Sequence, residues 1–148
     1  MATPSKDAIT CHALDTTTGR PAADIAVKLV CTSVPDIVFS CKTNADGRIM
    51  LWQNTQGPDG GEGSFVKSHR GVPATLHWMI KHHAERTGTA ACPVGSSVWK
   101  LEFDTGAYYG AGNTFFPKVE LTFLVKEGEH FHVPLLLGPY SFTTYRGS

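Results

Sequence analysis

Apolar and polar residues alternate along most of the chain with a period of two. Such alternation is typical of strands that bury one face, because successive side chains of a strand point to opposite sides. It predicts strands over residues 9–14, 25–32, 37–43, 48–52, 98–103, 119–126 and 130–137. Several short strands in succession favour an all-β sandwich or barrel. In 119–126 the predicted core face consists of Val119, Leu121, Phe123 and Val125.

Turn residues separate these strands. Segments 15–21, 44–47 and 126–129 contain glycine, asparagine or aspartate, which tolerate left-handed backbone or nucleate turns. The last of them predicts a hairpin between the two final long strands. Residues 53–63 are rich in glycine and polar residues, so we expect a loop there.

One segment, 73–88, departs from the β pattern. A proline precedes its first turn and a glycine follows its last, which are common positions at helix ends. Four of its residues recur at helical spacing, and they are Leu76, Met79, Ile80 and His83. The segment is therefore predicted to form a short amphipathic helix.

Composition limits the class of protein. With 148 residues, 41% of them hydrophobic, the chain is expected to form a single domain over residues 1–148. Lys plus Arg and Asp plus Glu both number 13, so no excess charge favours nucleic acid or an acidic membrane as a partner. Residues 1–7 are polar, and no apolar run resembles a signal peptide or a membrane span. We expect a soluble intracellular protein.

The cysteines and histidines raise the question of metal or redox chemistry. Cys11, Cys31, Cys41 and Cys92 have no Cys-x-x-Cys spacing, so we interpret them as reduced structural thiols in a reducing compartment. His130 and His132 fall on one face of a predicted strand, and His12 lies on the face of its strand opposite Cys11. A three-imidazole zinc site is the metal alternative, but the flanks of the His-x-His pair supply no obvious acidic side chain to orient its imidazoles as metal ligands. We expect no metal and no cofactor.

Two further features have polar chemistry. Arg48 follows a turn at the start of a strand, where a guanidinium can bind a carbonyl or an anion in a bidentate manner. The chain finishes with Tyr145, Arg146, Gly147 and Ser148. If these residues have no functional role, Arg48 is a solvated surface charge and residues 145–148 are a frayed terminus.

With these residues identified, the sequence resembles the 5-hydroxyisourate hydrolases of the transthyretin-like family. The resemblance rests on residues 9–22, 43–48, 101–108, 115–117 and 130–148, and the His-Val-Pro-Leu-Leu-Leu and Tyr-Arg-Gly-Ser stretches are its most specific parts. It implies a transthyretin-like (prealbumin-like) sandwich of two four-stranded sheets with one short helix. It also implies a homotetramer, a dimer of dimers, whose sites open between the dimers.

The resemblance assigns the site residue by residue. His12, Arg48, His132 and Ser148 are the implied catalytic residues, and Tyr145, Arg146 and Gly147 join them in binding substrate. The implied reaction converts 5-hydroxyisourate to 2-oxo-4-hydroxy-4-carboxy-5-ureidoimidazoline by attack of water at the ring carbonyl carbon C6. In this interpretation the imidazoles position and deprotonate water while Arg48 holds the developing oxyanion.

Two alternatives remain at this point. The first is a non-enzymatic small-ligand carrier of the same family, whose hormone-carrying branch lacks both histidines and the terminal tetrapeptide. The second is a zinc hydrolase. The absence of a Ser-Lys-Leu-type terminus favours the cytoplasm over the peroxisome.

The chain departs from the family pattern at two places. Gly138 stands where the family usually has serine, a small-for-small exchange. Residues 66–97 form an insertion between two family blocks, and this insertion contains the predicted helix. The sequence leaves open whether it is a surface excursion or modifies a tetramer contact.

Overall fold

The computed structural model describes residues 6–54 and 72–148, with two β-sheets and two helices among them. The strands are β1 (Ile9–Asp15), β2 (Arg20–Pro21), β3 (Ala26–Cys31), β4 (Val34–Lys42), β5 (Arg48–Ile49), β6 (Gln53–Asn54), β7 (Ser96–Phe103), β8 (Val119–Lys126), β9 (Phe131–Leu137) and β10 (Phe142–Thr144). The helices are α1 (Val72–His82) and α2 (Thr105–Tyr109).

The first sheet has the order β10-β9-β1-β2, with β5 also pairing β1, and the second has the order β6-β4-β3-β7-β8. Each sheet thus contains five strands, where the resemblance implied four. The additional strands are short, and β2 and β6, for example, are each two residues long. The predicted sandwich of two sheets is itself confirmed.

The core lies between the inner faces of the two sheets, as the alternation predicts. Val119, Leu121 and Val125 are buried and Phe123 is partly buried against them. On β1 the buried apolar residues are Ile9, Cys11 and Ala13. The largest fully buried side chains belong to Trp52, Trp99, Phe39 and Phe103.

The predicted hairpin over residues 126–129 is wrong. The turn itself exists, with Gly128 at φ 85° and the Glu129 amide donating to the Lys126 carbonyl. However, β8 pairs with β7 in the second sheet and β9 pairs with β1 in the first. The turn therefore connects the two sheets, because each of its flanking strands finds its hydrogen-bond partner elsewhere.

Two other boundaries need correction. The strand predicted over 48–52 ends at Ile49. The backbone beyond it bonds to Asp7 instead of to a neighbouring strand. The Asp7 amide donates to the Met50 carbonyl, and the Trp52 amide donates to the Asp7 carboxylate. The predicted loop at 53–63 begins with β6, which pairs with β4. The rest of that loop lies outside the described residues.

The helix predicted within 73–88 is confirmed as α1, although it ends at His82. Leu76, Met79 and Ile80 are buried and belong to the hydrophobic core. A surface excursion is therefore the wrong description of this helix. Within the described ranges, neither helix is long and apolar enough to cross a membrane.

Helix α2 is fastened to the first sheet by Asp15 at the end of β1. The Tyr108 hydroxyl donates to the Asp15 carboxylate at 2.8 Å and the Tyr109 hydroxyl donates at 3.3 Å. Burial raises the pKa of Asp15, but hydrogen bonds from Thr17 and the two tyrosines outweigh this effect and leave the pKa below its ordinary value.

Candidate active site

Parallel pairing of β1 with β9 brings His12 and His132 together on the outer face of the first sheet. In this register Thr10 lies opposite His132, and His12 lies opposite Pro134. The two imidazole rings stack with centroids 6.0 Å apart and planes inclined by 21°. Both rings are partly buried, so they remain reachable from solvent.

A tight turn places Arg48 beside these rings. The Asn44 side chain accepts hydrogen bonds from the amides of Asp46 at 2.9 Å and Arg48 at 3.0 Å. Gly47 has φ 73°, and a Cβ there would lie 2.4 Å from the Ala13 carbonyl oxygen, so only glycine fits. Arg48 then pairs directly opposite His12.

The electrostatics of this cluster favour neutral imidazoles. Burial and the nearby Arg48 charge lower the pKa of His12 below its usual 6.5. Burial, His12 and Arg48, with smaller effects from His130 and Lys6, lower the pKa of His132. Neutral rings at physiological pH can accept a proton, and the adjacent guanidinium can stabilise an anion.

The structure adds Thr10 and His130 to the cluster. The Thr10 hydroxyl oxygen lies 2.8 Å from Nδ1 of His132 and 3.3 Å from Nε2 of His130. The alternation of residues 9–14 puts Thr10 on the same face as His12, and that of residues 130–137 puts His130 on the same face as His132. The contact itself depends on the β1–β9 pairing, which no local pattern reveals.

The chain terminus packs against His132 through Gly147. The Gly147 amide donates to the His132 carbonyl at 2.8 Å, forming a bridge that extends the β10–β9 edge. A Cβ on Gly147 would lie 2.8 Å from Cδ2 of His132 and 3.0 Å from Cγ of Pro134. Glycine is therefore needed for this close approach.

The other terminal residues take different positions. The Arg146 guanidinium contacts the Glu129 carboxylate at 3.3 Å, donates to the His130 carbonyl at 3.2 Å and lies 4.3 Å from the centre of the Phe131 ring. Tyr145 is 57% exposed, and Ser148 is also exposed. Within the tetrapeptide, Gly147 is the residue whose backbone is hydrogen-bonded to His132.

Of two cavities in the described structure, the smaller one borders His132 of the imidazole pair and the larger one does not. One of about 280 Å³ lies between β8 and the terminal segment, and His132, Tyr145 and Arg146 are among its lining residues. A larger one, of about 730 Å³, lies on the second sheet beside Lys28 and Lys42, away from the imidazoles. We place the candidate site at His12 and His132 because the polar groups converge there.

Metal-ligating side chains do not cluster in the part of the chain that the structure describes: no group of three or more His, Cys, Asp or Glu residues is arranged to hold an ion. The four cysteines are free thiols. Burial raises the pKa of Cys11 above its ordinary range, which keeps this thiol protonated on the core side of β1.

Comparison with known proteins gives one consistent family. The plant "Uric acid degradation bifunctional protein TTL" of Arabidopsis thaliana is 35% identical over 97% of this chain, which spans 38% of that protein. The 5-hydroxyisourate hydrolase of Mus musculus is 32% identical, with 100% of both chains covered. The solved structure of Klebsiella pneumoniae 5-hydroxyisourate hydrolase has a TM-score of 0.57 and 25% identity, covering 95% of this chain and 98% of that one.

A family model described as HIUase/Transthyretin matches residues 9–147, which include both imidazoles, the arginine turn and the glycine that packs on His132. This chain belongs to the HIUase/transthyretin family.

Proposed function

We propose that this protein hydrolyses 5-hydroxyisourate to 2-oxo-4-hydroxy-4-carboxy-5-ureidoimidazoline in urate degradation. The observation that carries the proposal is the pair of stacked imidazoles beside Arg48, on the face where the terminal segment is bonded to His132. The names of the relatives from mouse and Klebsiella give the substrate.

The reaction needs a base and an anion-binding group, and the tetrahedral intermediate it passes through is not bonded to the protein. One neutral imidazole takes a proton from water while the water oxygen bonds to the ring carbonyl carbon C6. Arg48 holds the oxyanion that forms at this carbon. Collapse of the intermediate breaks the bond from C6 to the ring nitrogen, which receives the proton, so water is consumed and no cofactor takes part.

A homotetramer belongs to the same proposal. His12, Arg48 and His132 lie on a sheet face rather than in a closed pocket, so a second surface is required to shield the substrate and the attacking water from bulk solvent. Closed symmetry would provide that surface from another subunit. Phe115 and Tyr140 support an interface, because they are 71% and 74% exposed and their segments are joined by the hydrogen bond from the Phe115 amide to the Pro139 carbonyl.

The function is tested with 5-hydroxyisourate generated freshly from urate, by following the loss of its absorbance against the spontaneous rate. We expect turnover well above that rate, reduced by about 10²- to 10⁴-fold in His12→Ala and in His132→Ala. His83→Ala is the matched control, because it removes an imidazole from the segment after α1 and is expected to retain full activity.

Each alternative has its own outcome in this experiment. Tight binding of a small aromatic ligand with no turnover would indicate a carrier, and stoichiometric zinc needed for activity would indicate a metal hydrolase. Light scattering tests the assembly, and a fully active monomer would contradict the tetramer.

A further inference from the structure

Thr10 connects two histidines through a single buried hydroxyl. Its side chain is fully buried on β1, and its oxygen lies 2.8 Å from Nδ1 of His132 and 3.3 Å from Nε2 of His130. A hydroxyl has one hydrogen to donate, and a neutral imidazole has one N–H and one bare nitrogen. The hydroxyl can therefore donate to only one of the two rings, and any second hydrogen bond must be accepted from a ring N–H.

The surroundings of His130 determine the direction. The Asp7 backbone carbonyl, which can only accept, acts on the His130 ring as a hydrogen-bond partner and raises its pKa, although burial and Lys6 outweigh this effect. Because Nε2 faces Thr10, the hydrogen for this carbonyl belongs to Nδ1 of His130. Nε2 of His130 is then bare and receives the Thr10 hydrogen, and the Thr10 oxygen accepts from Nδ1 of His132.

The consequence appears at the other nitrogen of His132. With its hydrogen on Nδ1, the Nε2 nitrogen has a free lone pair, and no hydrogen-bond partner for it is found within residues 6–54 and 72–148. The charged and titratable groups whose electrostatic effect reaches this ring are His12, Arg48, His130 and Lys6. Burial and these neighbours lower the pKa of His132, so the ring is neutral and the lone pair is available near pH 7.

We propose that Thr10 and His130 are positioning residues that hold His132 in the tautomer with a bare Nε2, and so make His132 rather than His12 the base that removes the proton from water. The line of hydrogen bonds runs from His132 through Thr10 and His130 to the Asp7 carbonyl. This inference rests on the proposed function for its catalytic part, whereas the tautomer is a property of the protein without substrate.

The tautomer is measured directly by ¹H–¹⁵N correlation NMR of the histidine rings. Wild type is expected to show a protonated Nδ1 and a bare Nε2 at His132. A protonated Nε2 in the neutral ring would overturn the proposal. This measurement needs no variant and no substrate, so it stands even if 5-hydroxyisourate proves not to be the substrate.

Thr10→Val is nearly isosteric and removes only the hydroxyl, and Thr10→Ser restores it. We expect Thr10→Val to lower kcat by about 10- to 100-fold with little change in KM, since part of the contribution of a positioned base is lost. The acid limb of its kcat profile should move to lower pH, because protonated His132 loses the acceptor for its Nδ1 hydrogen. Thr10→Ser should recover most of the rate.

His130→Phe tests whether His130 determines the tautomer of His132. Without Nε2 of His130 as acceptor, the Thr10 hydroxyl is free to donate to His132, so the NMR spectrum should show the reversed tautomer. An unchanged tautomer in this variant would contradict the role of His130. Wild-type kcat in Thr10→Val, or equal losses in the valine and serine variants, would contradict the role of Thr10.

Discussion

The contact between Gly147 and His132 allows the function of the terminal segment to be separated from its contribution to stability. Gly147→Ala places a methyl group 2.8 Å from Cδ2 of His132 and 3.0 Å from Cγ of Pro134, whereas ordinary contacts begin at 3.4 Å. Either the segment moves away or the His132 ring turns. In both cases the imidazole loses the packing that fixes its position.

The expected effects on stability and activity differ in size. Displacing the segment breaks the 2.8 Å bond from the Gly147 amide to the His132 carbonyl, a net loss of about 1 kcal/mol. In a domain of this size that loss lowers Tm by about 4 °C. A misplacement of about 1 Å at a catalytic group can cost about 100-fold in rate, so we expect kcat/KM to fall by about 10- to 100-fold.

Gly138→Ala is the matched control in the same part of the chain. Its added methyl group meets the side-chain oxygen of Thr16 at 3.2 Å and the Ser141 carbonyl at 3.5 Å, and the threonine side chain can move slightly. We expect it to retain turnover within about twofold. Thermal unfolding and 5-hydroxyisourate decay measured on both variants test the reasoning, which would be refuted by wild-type kcat/KM in Gly147→Ala.

Four further outcomes are expected. A chain that stops at Thr144 should stay folded, with a Tm within about 4 °C of that of the full chain, yet lose nearly all activity. Full activity of this chain would show that residues 145–148 do not contribute to catalysis. Arg48→Met should raise the pKa of both site imidazoles in an NMR titration, because a lowering charge is removed; unchanged values would contradict this. Asp15→Asn should cost about 2 kcal/mol in denaturant unfolding at pH 7, and the loss should shrink as pH falls below 3.8, where the wild-type carboxylate gains its proton. Met79→Ala should cost about 3 kcal/mol, whereas an unchanged Tm would contradict core packing by α1.

The sequence alone determined much of the fold through local periodicity. Alternation identified the buried face of β8 and placed His12 and His132 on polar faces, since a strand repeats every two residues regardless of its partners. Helical spacing located α1. The family was indicated by short sequence motifs such as His-Val-Pro-Leu-Leu-Leu and Tyr-Arg-Gly-Ser rather than by periodicity. The side chains in such motifs are required by the site and not by the secondary structure.

Strand partners were decided only by the tertiary structure. The turn at 126–129 has the residues of a hairpin, but the same residues serve a connection between two sheets, and non-local packing selects between them. For the same reason the burial of α1 in the core could not be read from its apolar stripe. Thr10 contacts His130 and His132, from which it is separated by 120 and 122 positions in the sequence. These contacts exist only because β1 and β9 pair in parallel with Thr10 opposite His132.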